Sequence, residues 1–170
     1  TLEITNIKWD GYTLTWDDIP GASGYWVALD KMGETSVQVD TNYPSVNSCN
    51  LMYGLAKGGA GDYKVRISAY YKNLNNTMAY GTLGSVTFND VPTFIDKIEI
   101  TDVMAPQVGA SSDMVPTGNI PSNANYSIKS TNWANMNGQE MTAGSVILGN
   151  EEYFAEFVVA PDEGCLFADY

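Results

Sequence analysis

The stretch Gly21–Ala22–Ser23–Gly24–Tyr25–Trp26–Val27–Ala28–Leu29–Asp30, GASGYWVALD, decides how this chain is read. From Tyr25 onward its side chains alternate, with Tyr25, Val27 and Leu29 on one side and Trp26 on the other. Successive side chains of a pleated strand point to opposite faces, so the pattern describes a strand with one buried face. Pro20–Gly21 supplies the turn that precedes it. Trp26 then falls on the outward face, and the question is what a tryptophan does there.

The same alternation recurs outward from this stretch. Along Asp62–Tyr71, residues Tyr63, Val65, Ile67 and Ala69 point one way while Lys64, Arg66, Ser68 and Tyr70 point the other. Further strands are expected near Ile4–Trp9, Tyr12–Asp17, Thr35–Val39, Cys49–Leu55 and Leu83–Phe88. The breaks have turn chemistry: Asp10–Gly11 is a tight hairpin signal, and Lys57–Gly58–Gly59–Ala60–Gly61 reads as a flexible connection. Seven short strands in about 90 residues is the number an immunoglobulin-like sandwich uses. Val27, Leu29, Val65 and Ile67 with Trp16 form its expected core centre.

Beyond FNDVPTF, Phe88 to Phe94, the composition changes, which places a domain boundary between residues 1–90 and 91–170. Residues 1–90 carry 9 acidic and 6 basic side chains, residues 91–170 carry 11 and 2, and the whole chain has a net charge of −12. The second part reads as strands near Lys97–Val103, Tyr126–Lys129, Ser145–Leu148 and Glu152–Val159, with a Ser-, Asn- and Pro-rich passage from Pro106 to Asn125. No internal repeat relates the two parts. The expected fold class is therefore all-β, as two tandem antiparallel sandwiches.

Composition narrows function. An excess of 20 acidic over 8 basic side chains repels phosphate, so neither nucleic acid nor an anionic membrane surface is an expected partner. The chain has no histidine, which removes the commonest general base and metal ligand together. No apolar run reaches the roughly 18 residues that span a bilayer, so membrane insertion is not expected. The start at Thr1, without methionine, is read as the beginning of a fragment.

Adjacent carboxylates stand at Asp17–Asp18 and Glu151–Glu152, but strand neighbours face opposite ways and cannot close on one substrate atom. There is no Gly-x-Ser-x-Gly elbow, so no catalytic residue is assigned. Cys49 and Cys165 form no CxxC pair and read as two separate, partly buried thiols. Asn89, Asp90 and Asp96 flank the expected joint as calcium candidates, yet no Asp-x-Asp-x-Asp-Gly loop accompanies them, and neither cofactor nor metal is assigned. The triplets Asn75–Asn76–Thr77 and Asn125–Tyr126–Ser127 fit a glycosylation pattern and are read as turns.

The residues WDGYTLTWDDIPGASGYWVALDK, followed by GAGDYKVRISAYY, resemble fibronectin type III modules of secreted and cell-surface proteins of Gram-positive bacteria. The recurring features of that family fall here on Trp16, Gly21 to Val27, Leu55 and Tyr63, over about residues 2–89. Residues 93–170 resemble a bacterial immunoglobulin-like surface module, through IDKIEITDVMAPQVG, Tyr126 with Trp133, and EEYFAEFVVAPDEGCLF. An Arg-Gly-Asp motif is absent, since Ala60 precedes Gly61–Asp62.

These resemblances imply a non-catalytic spacer and adhesion segment of an extracellular or cell-wall-associated bacterial protein. Its partners would be neighbouring modules of the parent protein and a host or cell-surface protein or glycan. With the strands of residues 24–30 and 62–71 as neighbours, Trp26, Lys64, Arg66 and Tyr70 share the outward face as the candidate contact surface. The same groups admit three readings: a self-contained cation–aromatic stack, a protein contact, or a sugar-stacking site. The alternative function is an accessory carbohydrate-binding module of a surface enzyme, using Trp26, Tyr70 and Tyr80. Modules like the second usually continue beyond the position of Phe167, so the resemblance also implies a second domain incomplete at its C-terminal end, whose unpaired strand edge predicts weak dimerisation through residues 145–160.

Overall fold

The structure is a computed structural model and describes residues 2–169. Its regular structure is nearly all strand, in antiparallel sheets, and the chain divides into two compact units: residues 2–96 with 166–169, and Lys97–Cys165.

Unit 1 opens with β1 (Lys8–Asp10) and β2 (Thr13–Thr15), joined by the turn Gly11–Tyr12. Gly11 has φ +58°, the conformation that a two-residue hairpin turn demands and that glycine adopts without strain. There follow β3 (Gly24–Lys31), β4 (Val37–Asn42), β5 (Ser48–Asn50), the helix α1 (Met52–Gly58), β6 (Gly61–Lys72), β7 (Met78–Tyr80), β8 (Gly84–Val91) and β9 (Thr93–Ile95). One sheet has the order β1-β2-β5; the larger has β4-β3-β6-β7, with β8 also pairing β6. β7 and β8 share one edge of β6, opposite Tyr70–Lys72 and Gly61–Ile67 respectively.

The core lies between these sheets. Tyr25, Val27 and Leu29 of β3 and Tyr63, Val65, Ile67 and Ala69 of β6 are buried with Leu14, Trp16, Cys49, Leu51 and Leu55. Each fully buried Val, Leu or Ile contributes about 1.5–3 kcal/mol, so this inner face accounts for the strand pairing of β3 with β6. Trp16 is buried and meets Tyr25 edge-on at 5.1 Å; among the described residues its indole N–H finds no acceptor.

The expected strand Ile4–Trp9 begins only at Lys8, and two other expectations for this unit fail for identifiable reasons. Residues Cys49–Leu55 are strand only through Asn50; helix α1 follows. A strand would bury Tyr53 beside Leu51 and Leu55, but Tyr53 is exposed while Leu51, Met52 and Leu55 are buried, which is helical spacing. The Asn50 side chain accepts from Met52 N at 2.8 Å and sets the turn into the helix. The glycine run 57–61 is no loose connection either. Gly59, at φ +75°, donates its N–H to Leu55 O and closes α1, while Lys31 Nζ donates to Gly58 O at 2.6 Å.

Unit 2 is built on β10 (Tyr126–Asn135) paired with β11 (Tyr153–Pro161). β10 runs six residues past the expected Tyr126–Lys129, through a bulge between Ile128 and Ser130. The bulge has a packing purpose. Tyr126 and Trp133 are seven apart and would face opposite ways on a regular strand; their partners Pro161 and Ala155 are six apart, so the extra residue, Lys129, returns both aromatics to one buried face. The expected strands Lys97–Val103 and Ser145–Leu148 reduce to the single bridges Thr101↔Asn119 and Ser111↔Val146. Asp102 at φ +50° interrupts the first, and Gly144 and Asn150, also at positive φ, bracket the second. The last strand, β12 (Cys165–Phe167), pairs with β9.

Candidate functional site

The outward face of the larger unit 1 sheet can be laid out from its register. Trp26 stands opposite Ser68, Asp30 opposite Lys64, Gly24 opposite Tyr70, and Tyr70 opposite Tyr80. One end of the face is polar. Arg66 grips Asp30 with two hydrogen bonds, Nε to Oδ2 at 2.6 Å and Nη2 to Oδ1 at 3.0 Å, and reaches Gln38 at 3.0 Å. Asp30 is 8 % and Arg66 32 % exposed, so the carboxylate is neutralised where water scarcely reaches it. The bound Asp30 carboxylate in turn raises the guanidinium pKa above its ordinary value. The same guanidinium lies over Trp26, 5.1 Å from the ring centroid.

Toward the other end the face is aromatic. Tyr70 lies between Tyr43 and Tyr80, at centroid distances of 6.4 and 6.0 Å. Trp26, Ser68, Tyr80, Gly81 and Leu83 line a groove of about 360 Å³ that is almost wholly apolar. Ser68 is its buried floor and donates to Gly81 O at 3.0 Å, holding the break between β7 and β8. That break sets the groove: Tyr80 and Leu83 both face outward although three residues apart, because the chain jogs at Gly81–Thr82 between the two short strands. Tyr80 and Leu83 are about half exposed.

The four residues expected on this face are thus placed as follows. Trp26 and Arg66 are stacked, Lys64 is half-buried, and Tyr70 is only 6 % exposed. Tyr70 is the correction: it belongs to the outward face but is covered. Opposite it stands Gly24, whose missing side chain leaves room for the phenol; a Cβ there would lie 2.6 Å from the Tyr70 hydroxyl. The accessible aromatics are Tyr43, Tyr80 and part of Trp26. Tyr43 carries no periodic signal, since it lies in a connection beside the strands, and Leu83, expected to open the strand Leu83–Phe88, lies just ahead of β8; only the Gly81 interruption hints at a jog.

The other candidate groups lie elsewhere among the described residues. A polar cleft of about 510 Å³ in unit 2 is lined by Gln139, Glu140, Thr142, Glu151 and Tyr153 among others, but Glu151 accepts the Tyr153 hydroxyl at 3.0 Å and both acids are exposed. Asp90 donates its backbone N–H to Asp62 at 2.8 Å, and among the described residues no three His, Cys, Asp or Glu side chains group as metal ligands. Both cysteines are free; burial, then the nearby Asp40 charge, pushes the Cys49 thiol up to about 11. Asn75–Asn76–Thr77 forms a turn whose backbone N–H groups at 75 and 77 bind Asn73 Oδ1. No helix among the described residues is long and apolar enough to cross a membrane. No protein-family model, curated protein or solved structure matches the chain.

Proposed function

We propose that this chain is a non-catalytic spacer and adhesion segment of a bacterial extracellular or cell-wall-associated protein. In this reading unit 1 is a fibronectin type III-like module, unit 2 an immunoglobulin-like one, and the Trp26–Tyr80–Leu83 groove is the surface that touches a protein partner. The groove carries the argument: it is apolar, half-exposed on a rigid sheet, and free of carboxylate, thiol or amine groups among its lining residues. Partly exposed Trp and Tyr beside an Arg are the side chains that dominate interface energies, whereas catalysis needs convergent titratable groups. Incubating the purified chain with polysaccharide and peptide panels should release no product; any hydrolysis defeats the proposal.

The second reading, a carbohydrate-binding module, is favoured by the exposed aromatics alone. Against it stands their geometry. The Tyr43–Tyr70 and Tyr70–Tyr80 ring planes are inclined by 68° and 59°, so these rings offer no flat platform for a sugar face, and Arg66 already occupies one face of Trp26. A glycan array separates the two readings: binding lost in Trp26→Ala with the fold intact supports the carbohydrate module, and a blank array supports the protein contact.

A further inference from the structure

The chain leaves unit 1 after Asp96, builds all of Lys97–Cys165, and then comes back, because residues 166–169 belong to unit 1. Three features hold the return. β12 pairs with β9, Ala168 N donates to Ile95 O at 2.9 Å, and Ala168 packs against the buried core. The receiving strand is itself rooted: Phe94 and Ile95 are buried, and Phe94 meets Tyr12 edge-on at 4.9 Å. Unit 2 is therefore an excursion between two paired strands rather than a link in series.

This topology dictates how tension travels. A pull applied ahead of β1 and behind residue 169 runs through unit 1 and across the β9–β12 pair, and it bypasses the 69 residues Lys97–Cys165 while that pair holds. We infer that β9 and β12 form a clasp that shields unit 2 from tension until the clasp opens. β12 is only three residues long and has few hydrogen bonds to lose, so the clasp opens at low force. The clasp adds a force threshold to the proposed spacer role; only its biological meaning rests on that reading.

The test is force spectroscopy on the full chain, held through peptide tags at its two ends. Stretching out unit 2 adds up to roughly 230–250 Å of contour, at about 3.3–3.6 Å per residue. Ala168→Pro deletes the N–H that binds Ile95 and should move this step to lower force, while Ala168→Gly, which keeps the N–H, should leave it closer to the unsubstituted chain. Equal forces for Ala168→Pro and the unsubstituted chain would overturn the clasp. A second geometry guards against misfolding of the proline variant: moving one handle to the exposed Glu163 loads unit 2 directly and should lower the force of the same step without touching Ala168. Equal forces in the two geometries would also overturn it. Neither result bears on partner binding, so the contact reading stands or falls separately.

Discussion

Units 1 and 2 solve the same problem, burying one face of a twisted ribbon, by different means. In unit 1 the strands β3 and β6 alternate without interruption across their shared register, and each inward residue meets another across the core. In unit 2 the two buried aromatics, Tyr126 and Trp133, share a face only because Lys129 is squeezed out of register, and much of the remaining chain runs through turns and isolated bridges. Regular alternation makes a strand legible; a bulge hides it. The comparison teaches that the aromatics of unit 2 are placed by one irregularity, whereas those of unit 1 are placed by the period itself.

The largest contrast should be chemical. With its pKa pushed up to about 11 by burial, Cys49 in unit 1 holds little thiolate near pH 8, and it should react with an alkylating reagent at least about a hundredfold more slowly than an ordinary thiol. Mass spectrometry of partially labelled protein would show Cys165 modified first; equal labelling would mean that Cys49 is not sealed in the core. The sign for stability follows from the same shift. The fold favours the neutral thiol, so the stability this gives is intact below pH 9 and is lost as pH rises from there through about 11.

The next contrast breaks the bulge. Inserting an alanine into β11 between Val158 and Val159 gives Lys129 a partner, so that Tyr126 and Trp133 stand seven apart in a regular ladder; one of the two should turn toward solvent and cost unit 2 about 3–5 kcal/mol, the range for losing a buried large aromatic, while leaving unit 1 untouched. Calorimetry should show one transition falling and the other unmoved. Parallel shifts of both would contradict the division into two units.

Within unit 1, Gly24→Ala should expel Tyr70 from its niche and cost about 1–3 kcal/mol by chemical denaturation, because the new Cβ falls 2.6 Å from the phenol oxygen. A neutral substitution would show that Tyr70 is not held there. The smallest effect belongs to Trp26→Leu, which removes the stack under Arg66 but leaves the Asp30 pair; about 0.5–1 kcal/mol is expected. A cost above about 3 kcal/mol would make Trp26 a core residue and not a surface one.

The all-β class and the alternation of β3 and β6 were legible because period two follows from the residues alone, whereas the pairing of β3 with β6, and with it the stack of Arg66 on Trp26 as one of three readings, was implied only by the resemblance. Helix α1 was not, since its seven residues are too short for a helical period to declare itself against the strand-like Cys49–Leu55. The groove was half legible. Trp26 and Tyr80 could be named, but the burial of Tyr70 depends on an absent side chain at Gly24, and the position of Leu83 depends on the jog at Gly81. The return of residues 166–169 to unit 1 is a long-range pairing that no local pattern encodes.

The central claim is that the Trp26–Tyr80–Leu83 groove is a protein-contact surface. The most direct measurement is binding of the labelled chain to an array carrying purified extracellular and cell-surface proteins beside glycans, repeated with Leu83→Asp, a change at a half-exposed position that spares the core. The account predicts protein spots that lose at least about tenfold in affinity with Leu83→Asp, a charge placed in an apolar interface. Protein binding unchanged by Leu83→Asp, or binding confined to glycan spots, would contradict it.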